Sequence, residues 1–389
     1  MKKRLLIIVS RLLQGGIDTI LIEYLKHFDR DKFCIKLAIG TCMEEQESYI
    51  HHVPTDIPIH YLVKNHSLIK YRKQKSIKKL SFLEKAYDET ILSPIRRYIQ
   101  KSHLDKLINE SDIVIDFDTT FYSFLKNCPI TKVTFFHFSF KQYHNGNQRK
   151  QRRLGRKLDT YDKIITICKK MQDEGMEMYP NVKDKFITIY NAFNLDAIKR
   201  KALEPLDSPL ANNPYILAVQ RLEETLKDST TLIKAYKILL DKYAIKEKLY
   251  IIGEGISRDR LECLSNSLGL EDQICFLGFQ VNPYPWIKQS ELFVLSSKSE
   301  GFGIVLIEAM SLEKGIVSTN CPIGPKEILD NGNAGALVPV GDENGMAEAI
   351  HRMLTDAMYK KQMLNGAQKQ LRKFDIKNTI HQIEELILA

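Results

Sequence analysis

Two stretches of this sequence place charged residues and glycines where an anion could be held. In SSKSEGFGIVLIEAMSLEKG (296–315) an apolar run ends near Ser297, a polar loop carries Gly301 and Gly303, and a helical pattern starts around Ile304. Glycines let backbone N–H groups approach a ligand, and a helix N-terminus adds its positive end. Glu300 precedes that helix and Glu308 lies about one turn inside it. Two carboxylates so placed can accept hydrogen bonds from hydroxyl groups on either side of a phosphate, which is the layout of a sugar nucleotide. A loop charge and a solvated helix residue describe the two glutamates equally well. In VQRLEETLKDSTTLIKAY (219–236), Arg221 follows a strand run and Lys227 precedes a helix that Asp228 or Ser229 could cap. Cations above the carboxyl edge of a parallel sheet can neutralise a pyrophosphate without a metal. Taken alone, the two read as ordinary surface charges.

These residues need strands that end at them and helices that begin there. YILAVQ (215–220), KLYIIG (248–253), ICFLGF (274–279), LFVLSS (292–297), GIVSTN (315–320) and GALVPV (335–340) are short apolar runs, mostly separated by helical patterns. Such alternation predicts a mainly parallel sheet covered on both faces. The first half carries RLLIIV (4–9), CIKLAIG (34–40), DIVIDF (112–117), KVTFFHF (132–138), KIITIC (163–168) and FITIYNAF (186–193). Gly15-Gly16 follow the first run, and apolar residues at 20, 21, 24, 25 and 28 then predict a helix. Residues 194–214, with Pro205, Pro209 and Pro214, read as a linker. The expected organisation is a first domain over 1–195, a linker over 196–213, a second domain over 214–370 and a C-terminal helix over 371–389. Two similar α/β domains suggest a cleft between them as the binding site.

Together the two motifs resemble the retaining glycosyltransferases of the GT-B fold, in particular glycosyltransferase family 4, the glycosyl transferases group 1. That family shows strand-G-R-L-x5-K-helix and then E-G-F-G-x4-E-A. Here Gln220 replaces the glycine, while Arg221, Leu222, Lys227, Glu300, Gly301, Phe302, Gly303, Glu308 and Ala309 match, and CPIGPKEIL (321–329) looks like the family's next segment. The resemblance is dense from Tyr215 to Gly341 and thinner before it. It implies two Rossmann-like doubly wound domains facing across a cleft, with the C-terminal helix crossing back to the first. It assigns the donor diphosphate to Arg221 and Lys227 and the ribose to Glu308. It assigns the donor sugar and phosphate to Glu300 and the backbone of Phe302, Gly303, Ile304 and Val305. Gly253 and Phe279 fall where the family lines its nucleotide pocket. Gly15 and Gly16 match its glycine loop near phosphate and acceptor; a tight turn explains them as well. His137 matches a position facing the donor sugar, so that His137 and Glu300 are the catalytic candidates. Without the resemblance, a lone histidine in an aromatic run reads as a core residue.

Asp116 and Asp118 form a D-x-D pair, which in the other large glycosyltransferase fold binds a divalent metal. The pattern is common and fits a strand end equally well. With Arg221 and Lys227 available a metal has no necessary task, so no cofactor and no metal are expected.

The net charge of +9 is unevenly spread. Residues 1–200 hold 36 basic and 23 acidic residues, and residues 201–389 hold 21 and 25. The basic excess concentrates in 64–106 and in 141–170, which includes RKQRRLGRK. No nucleic-acid-binding signature accompanies it. Solubility covers part of it; because the first domain takes the acceptor in the family this chain resembles, attraction to the anionic headgroups of an inner membrane, where a lipid-linked acceptor would reside, is favoured. No run approaches the roughly 18 apolar residues of a membrane span. Seven scattered cysteines without a C-x-x-C pair suit a reducing cytosol. The expectation is a cytoplasmic, peripherally membrane-associated enzyme. It transfers a hexose-type sugar with retention from a nucleotide-diphosphate sugar, UDP-linked before GDP-linked, to a glycan or lipid-linked hydroxyl. The setting would be bacterial lipopolysaccharide or capsule biosynthesis. A non-catalytic partner of the same fold, or an epimerase or phosphorylase acting on nucleotide sugars, are the alternatives.

Overall fold

Short runs of Leu, Ile, Val and Phe without polar alternation can be stable only as strands covered on both faces. The computed structural model, which describes residues 2–13, 16–43, 47, 49–77, 80–141, 143 and 146–389, puts them there. The chain divides into one unit of Met1–Phe193 with Ile376–Ala389 and a second of Asn194–Asp375.

The first unit holds β1 (Lys3–Val9), β2 (Phe33–Ile39), β3 (Ile59–Tyr61), β4 (Ile113–Asp116), β5 (Thr131–Phe136), β6 (Lys163–Thr166) and β7 (Phe186–Thr188). They form one parallel sheet in the order β3-β2-β1-β4-β5-β6-β7. Leu5 pairs with Ile35 on one side and Ile113 on the other, and the last five residues of β1 are buried. The helix Gly16–His27 lays Ile20, Leu21, Tyr24 and Leu25 into the core. The helix Ile376–Leu388 adds Ile376, Ile380, Ile383 and Ile387 to that core. Its buried Glu384 accepts the Asp29 N–H at 2.7 Å and pairs with Lys32 at 2.9 Å, so the acid is satisfied.

The second unit holds β8 (Tyr215–Val219), β9 (Lys248–Ile252), β10 (Ile274–Gly278), β11 (Leu292–Leu295), β12 (Gly315–Thr319) and β13 (Ala336–Val338). They form a parallel sheet ordered β10-β9-β8-β11-β12-β13. Helices such as Ser229–Tyr243 and Glu343–Thr355 cover it with Leu232, Ile233, Tyr236, Met346 and Ile350.

Two expectations change. Residues 195–201 are not linker but a helix, Leu195–Lys201, capped by the Asn194 side chain on the Ala197 N–H at 2.9 Å. Ile198 is buried, and Asn282 donates to Lys201 O and Glu204 at 2.9 and 2.7 Å, so the segment belongs to the second unit. One buried apolar residue in seven leaves no visible period, which is why it read as a linker. At the other end, residues 371–375 stay with the second unit, where the buried Phe374 ring stands 6.0 Å from Phe302. The edge strand β3 had no sequence signal, since its three residues are all half-buried. Among the described residues no helix is long and apolar enough to cross a membrane.

Candidate functional site

In a sheet ordered this way the connections leave in opposite directions on either side of one strand pair, opening a crevice at the carboxyl ends. In the second unit that pair is β8 and β11. Both motifs follow those strands. The two loops are tied together: the N–H groups of Lys298 and Ser299 donate to Leu226 O at 2.8 and 3.2 Å, and Ser296 Oγ donates to Lys227 O at 3.0 Å. Across this seam Lys227 Nζ meets Glu300 Oε1 at 2.5 Å, with their side chains only 20% and 9% exposed. Ser297 Oγ donates to the same Glu300 oxygen at 2.5 Å. Lys298 Nζ stands 3.0 Å from the buried Asp228, which starts the helix Ser229–Tyr243 in a left-handed conformation. Arg221 does not join this cluster. Its side chain is 72% exposed, with Glu223 at 3.7 Å its charged neighbour.

The helix Ile304–Ser311 begins immediately beyond. Gly303 has φ 93°, and no side chain caps this end. Ile304 and Val305 are half-buried in its first turn. The Phe302 ring is turned into the interior, so its backbone is what it can offer a ligand. The Gly324 turn explains the I-G-P segment, because a Cβ there would stand 1.7 Å from Phe302 O. Glu308 accepts a hydrogen bond from Tyr284 Oη at 3.0 Å. Burial pushes its carboxyl up, and the tyrosine opposes that shift.

Gly253 and Gly255 serve the loop after β8. A Cβ would stand 2.0 Å from Gln220 O at the first and 2.2 Å from Leu222 O at the second. Without side chains the segment runs close enough for Leu222 N–H to bond Glu254 O at 3.0 Å. Phe279 is 73% exposed. Gln220, standing where the family motif has glycine, donates to Ser229 Oγ at 2.9 Å and Ser296 Oγ at 3.3 Å, and its buried Oε1 has no partner among the described residues. Sequence reasoning missed Tyr284 and Ser297. No spacing ties residue 284 to 308, and a serine in a serine-rich loop carries no signal.

The first unit has its own crevice, between β1 and β4. Gly15 lies outside the described residues, and Gly16 opens the helix Gly16–His27. Asp118 accepts the Ser10 N–H at 2.8 Å, joining the two loops. Asp116 is fully buried and accepts from Tyr161 Oη at 2.5 Å, Phe121 N at 2.7 Å and Thr120 N at 3.2 Å. Burial, then the nearby Asp118 charge, push its carboxyl up to about 7. Both aspartates are thus engaged in holding loops. Among the described residues no group of three or more His, Cys, Asp or Glu is placed to hold a metal. His137 follows β5, buried against Phe117 and Phe135, with ring centroids at 5.0 and 6.0 Å. Its Nε2 bonds Phe117 O at 2.9 Å, and Nδ1 has no partner among the described residues. Desolvation lowers its pKa to about 4, so the ring is neutral at pH 7 and that Nε2 is the donor.

Residues 205–370 match the family model of glycosyl transferases group 1. Over that stretch the chain is similar to the glycosyl transferases group 1. The matched stretch includes Arg221, Lys227, Gly253, Phe279, Glu300, Phe302, Gly303, Ile304, Val305 and Glu308, and excludes Gly15, Gly16 and His137. The chain is 36% identical over 187 residues to an N-acetylgalactosamine-N,N'-diacetylbacillosaminyl-diphospho-undecaprenol 4-alpha-N-acetylgalactosaminyltransferase of Campylobacter jejuni, covering 48% of this chain and 49% of that one. It is 30% identical to the lipopolysaccharide core biosynthesis glycosyltransferase LpsE of Rhizobium meliloti, over 49% and 52% of the two chains. The chain therefore spans about half the length of the curated relatives it matches. Its fold is that of Anabaena HepE, solved in complex with UDP, with TM-score 0.75, 18% identity and 100% and 99% coverage. The apo lipopolysaccharide outer core galactosyltransferase WaaB gives TM-score 0.73 at 17% identity, with 99% of each chain covered. These are GT-B structures, and this chain has the same two Rossmann-like domains.

Proposed function

We propose that the chain is a retaining hexosyltransferase that takes its sugar from a UDP-sugar and delivers it to a hydroxyl of a glycan or lipid-linked acceptor. The proposed setting is bacterial lipopolysaccharide or capsule assembly at the cytoplasmic face of the inner membrane. The observation that carries the reading is the Lys227–Glu300 pair, held across the β8/β11 crevice beside the glycine-started helix Ile304–Ser311. A cation, a carboxylate and an uncapped helix end in one crevice suit a diphosphate joined to a polyol. UDP in HepE and a diphospho-undecaprenol-linked substrate in the name of the Campylobacter relative support the donor and acceptor classes.

In this reading Lys227, Arg221 and the helix end stabilise the departing diphosphate by fixed charge, so no metal is needed. Glu308, positioned by Tyr284, accepts the ribose hydroxyls. Glu300 and the backbone of Phe302 to Val305 hold the sugar and its phosphate. Gly253 and Phe279 border the nucleotide. His137, neutral and with Nδ1 unpartnered, accepts a hydrogen bond from the donor sugar and does not act as an acid. Gly16 and its neighbour Gly15 are assigned to the acceptor side. As the glycosidic bond breaks, the leaving phosphate oxygen takes the acceptor's proton, and the acceptor oxygen enters on the same face.

The test is Arg221→Ala assayed for sugar transfer from UDP-sugars. The side chain is largely exposed, so its removal leaves the fold intact. Turnover should fall about a hundredfold or more if Arg221 neutralises the leaving diphosphate. Wild-type turnover in this variant would refute the assignment.

A further inference from the structure

Sixteen large hydrophobic side chains are exposed among the described residues, and six of them, Phe82, Leu83, Tyr87, Ile91, Ile95 and Tyr98, fall within seventeen residues. They lie on one nearly continuous run: the helix Phe82–Tyr87, a π-wound segment Asp88–Leu92 and the helix Ser93–Asn109. Leu83, Tyr87, Ile91 and Ile95 recur every four residues, so they share one outward strip. The opposite face is pinned, with Leu92, Arg96, Leu104 and Leu107 buried along it. Arg96 is 1% exposed and donates to Leu68 O at 2.7 Å and Asp88 at 2.6 Å, while Gln100 donates to Gly40 O at 2.8 Å. Besides its buried face, which includes an arginine, this run exposes a second apolar face of isoleucine, phenylalanine, leucine and tyrosine, which a helix covering a soluble core does not need.

Strong positive charge borders the strip. The helix His66–Ile77, in contact through the Tyr71 and Tyr87 rings at 6.1 Å, carries Lys70, Arg72 and Lys73 and no acid. The helix Ser93–Asn109 also meets the short helix Tyr122–Leu125, with Arg97 over Phe124 at 5.3 Å and Lys157 over Tyr122 at 4.6 Å. Lys157 belongs to the helix Gln148–Leu158, which has six basic residues and no acid. Arg149, Lys150, Arg152, Arg153 and Arg156 there pair with no carboxylate among the described residues.

We propose that this strip is a bilayer-insertion surface, with Phe82, Leu83, Tyr87, Ile91, Ile95 and Tyr98 entering the headgroup–acyl boundary and the two basic helices engaging anionic headgroups. An apolar face bordered by lysine and arginine is the composition that holds a protein in the plane of an anionic interface. A second copy of the chain fits the strip less well, since facing strips would bring the basic helix His66–Ile77 against its own like charge. The inference rests on the membrane setting of the proposed function and gives it a site.

The experiment is flotation of the full chain with vesicles of phosphatidylcholine alone or mixed with phosphatidylglycerol, at low and high salt. The variants are L83S/I91S/I95S and R149Q/R152Q/R153Q, all at exposed positions. Wild type should float with the anionic vesicles and retain a salt-resistant fraction. The strip variant should lose that fraction and bind about tenfold more weakly, while the arginine variant should lose its preference for anionic lipid. Flotation of the strip variant equal to wild type overturns the proposal. So does wild type that ignores vesicles, or that dimerises through the strip in sedimentation. UDP-sugar hydrolysis without lipid is measured in parallel, so that loss of the membrane site and loss of the enzymatic reading are told apart.

Discussion

Glu300→Gln separates two roles that a single ion pair could hide. Across the crevice Glu300 holds Lys227 at 2.5 Å, so a diphosphate must compete with this carboxylate for the cation. Two unit charges about 4 Å apart attract by roughly 4 kcal/mol at an effective dielectric constant of about 20, and desolvation cancels much of that. A net competition of about 1.4 kcal/mol, one factor of ten, is a conservative remainder. Glutamine keeps the shape and an oxygen for both Lys227 and Ser297, but it removes the negative charge. UDP alone should therefore bind the variant about tenfold more tightly. Turnover of the UDP-sugar should move the other way, falling roughly a hundredfold, because a charged acceptor to the sugar hydroxyls is lost. Isothermal titration gives the first quantity and steady-state product formation the second. If Glu300 were only a structural anchor for its loop, both would worsen together along with thermal stability. That parallel loss, or unchanged UDP affinity, would refute the reasoning.

Gly253→Ala should lower stability by roughly 2–4 kcal/mol and raise the KM for donor, because φ is 138° and the new Cβ would stand 2.0 Å from Gln220 O in the loop carrying Arg221 and Lys227. Gly301→Ala is the control: no atom stands within 4 Å of its Cβ, and its melting temperature should match wild type. Asp116→Asn is read through pH. The folded carboxyl is raised to about 7 from 3.8, so its stabilising proton uptake is complete below about 4 and is lost as pH rises through about 7. His137 acts in the opposite sense. Its pKa is depressed from 6.5 to about 4, so its contribution is present above 6.5 and lost as pH falls. The wild-type minus Asp116→Asn difference in melting temperature cancels the histidine and should decline steadily between pH 4 and 7, then flatten. A flat difference throughout would show that Asp116 is ionised in the folded protein.

What the sequence disclosed follows from how local its causes are. Strands buried on both faces announce themselves as apolar runs, so twelve of the thirteen strands among the described residues were legible, and the half-buried edge strand β3 was not. The helix Leu195–Lys201 escaped because a single buried isoleucine has no period. The crevice residues were legible as a pair of motifs because the Rossmann order forces the loops after β8 and β11 to meet, whatever separates them in the chain. Positions whose meaning depends on a partner elsewhere were not. The close approach of Gly253 to Gln220 O shows only in the folded backbone, and so does the engagement of Asp116 by Tyr161 and two backbone N–H groups. The exposed strip shows the same limit from the other side. Leu83, Ile91 and Ile95 have the spacing of a core-facing helix, and only the burial of Arg96 on the opposite face reveals that the apolar side points outward. Periodicity identifies a face, but which medium covers that face is decided by the groups that anchor its reverse.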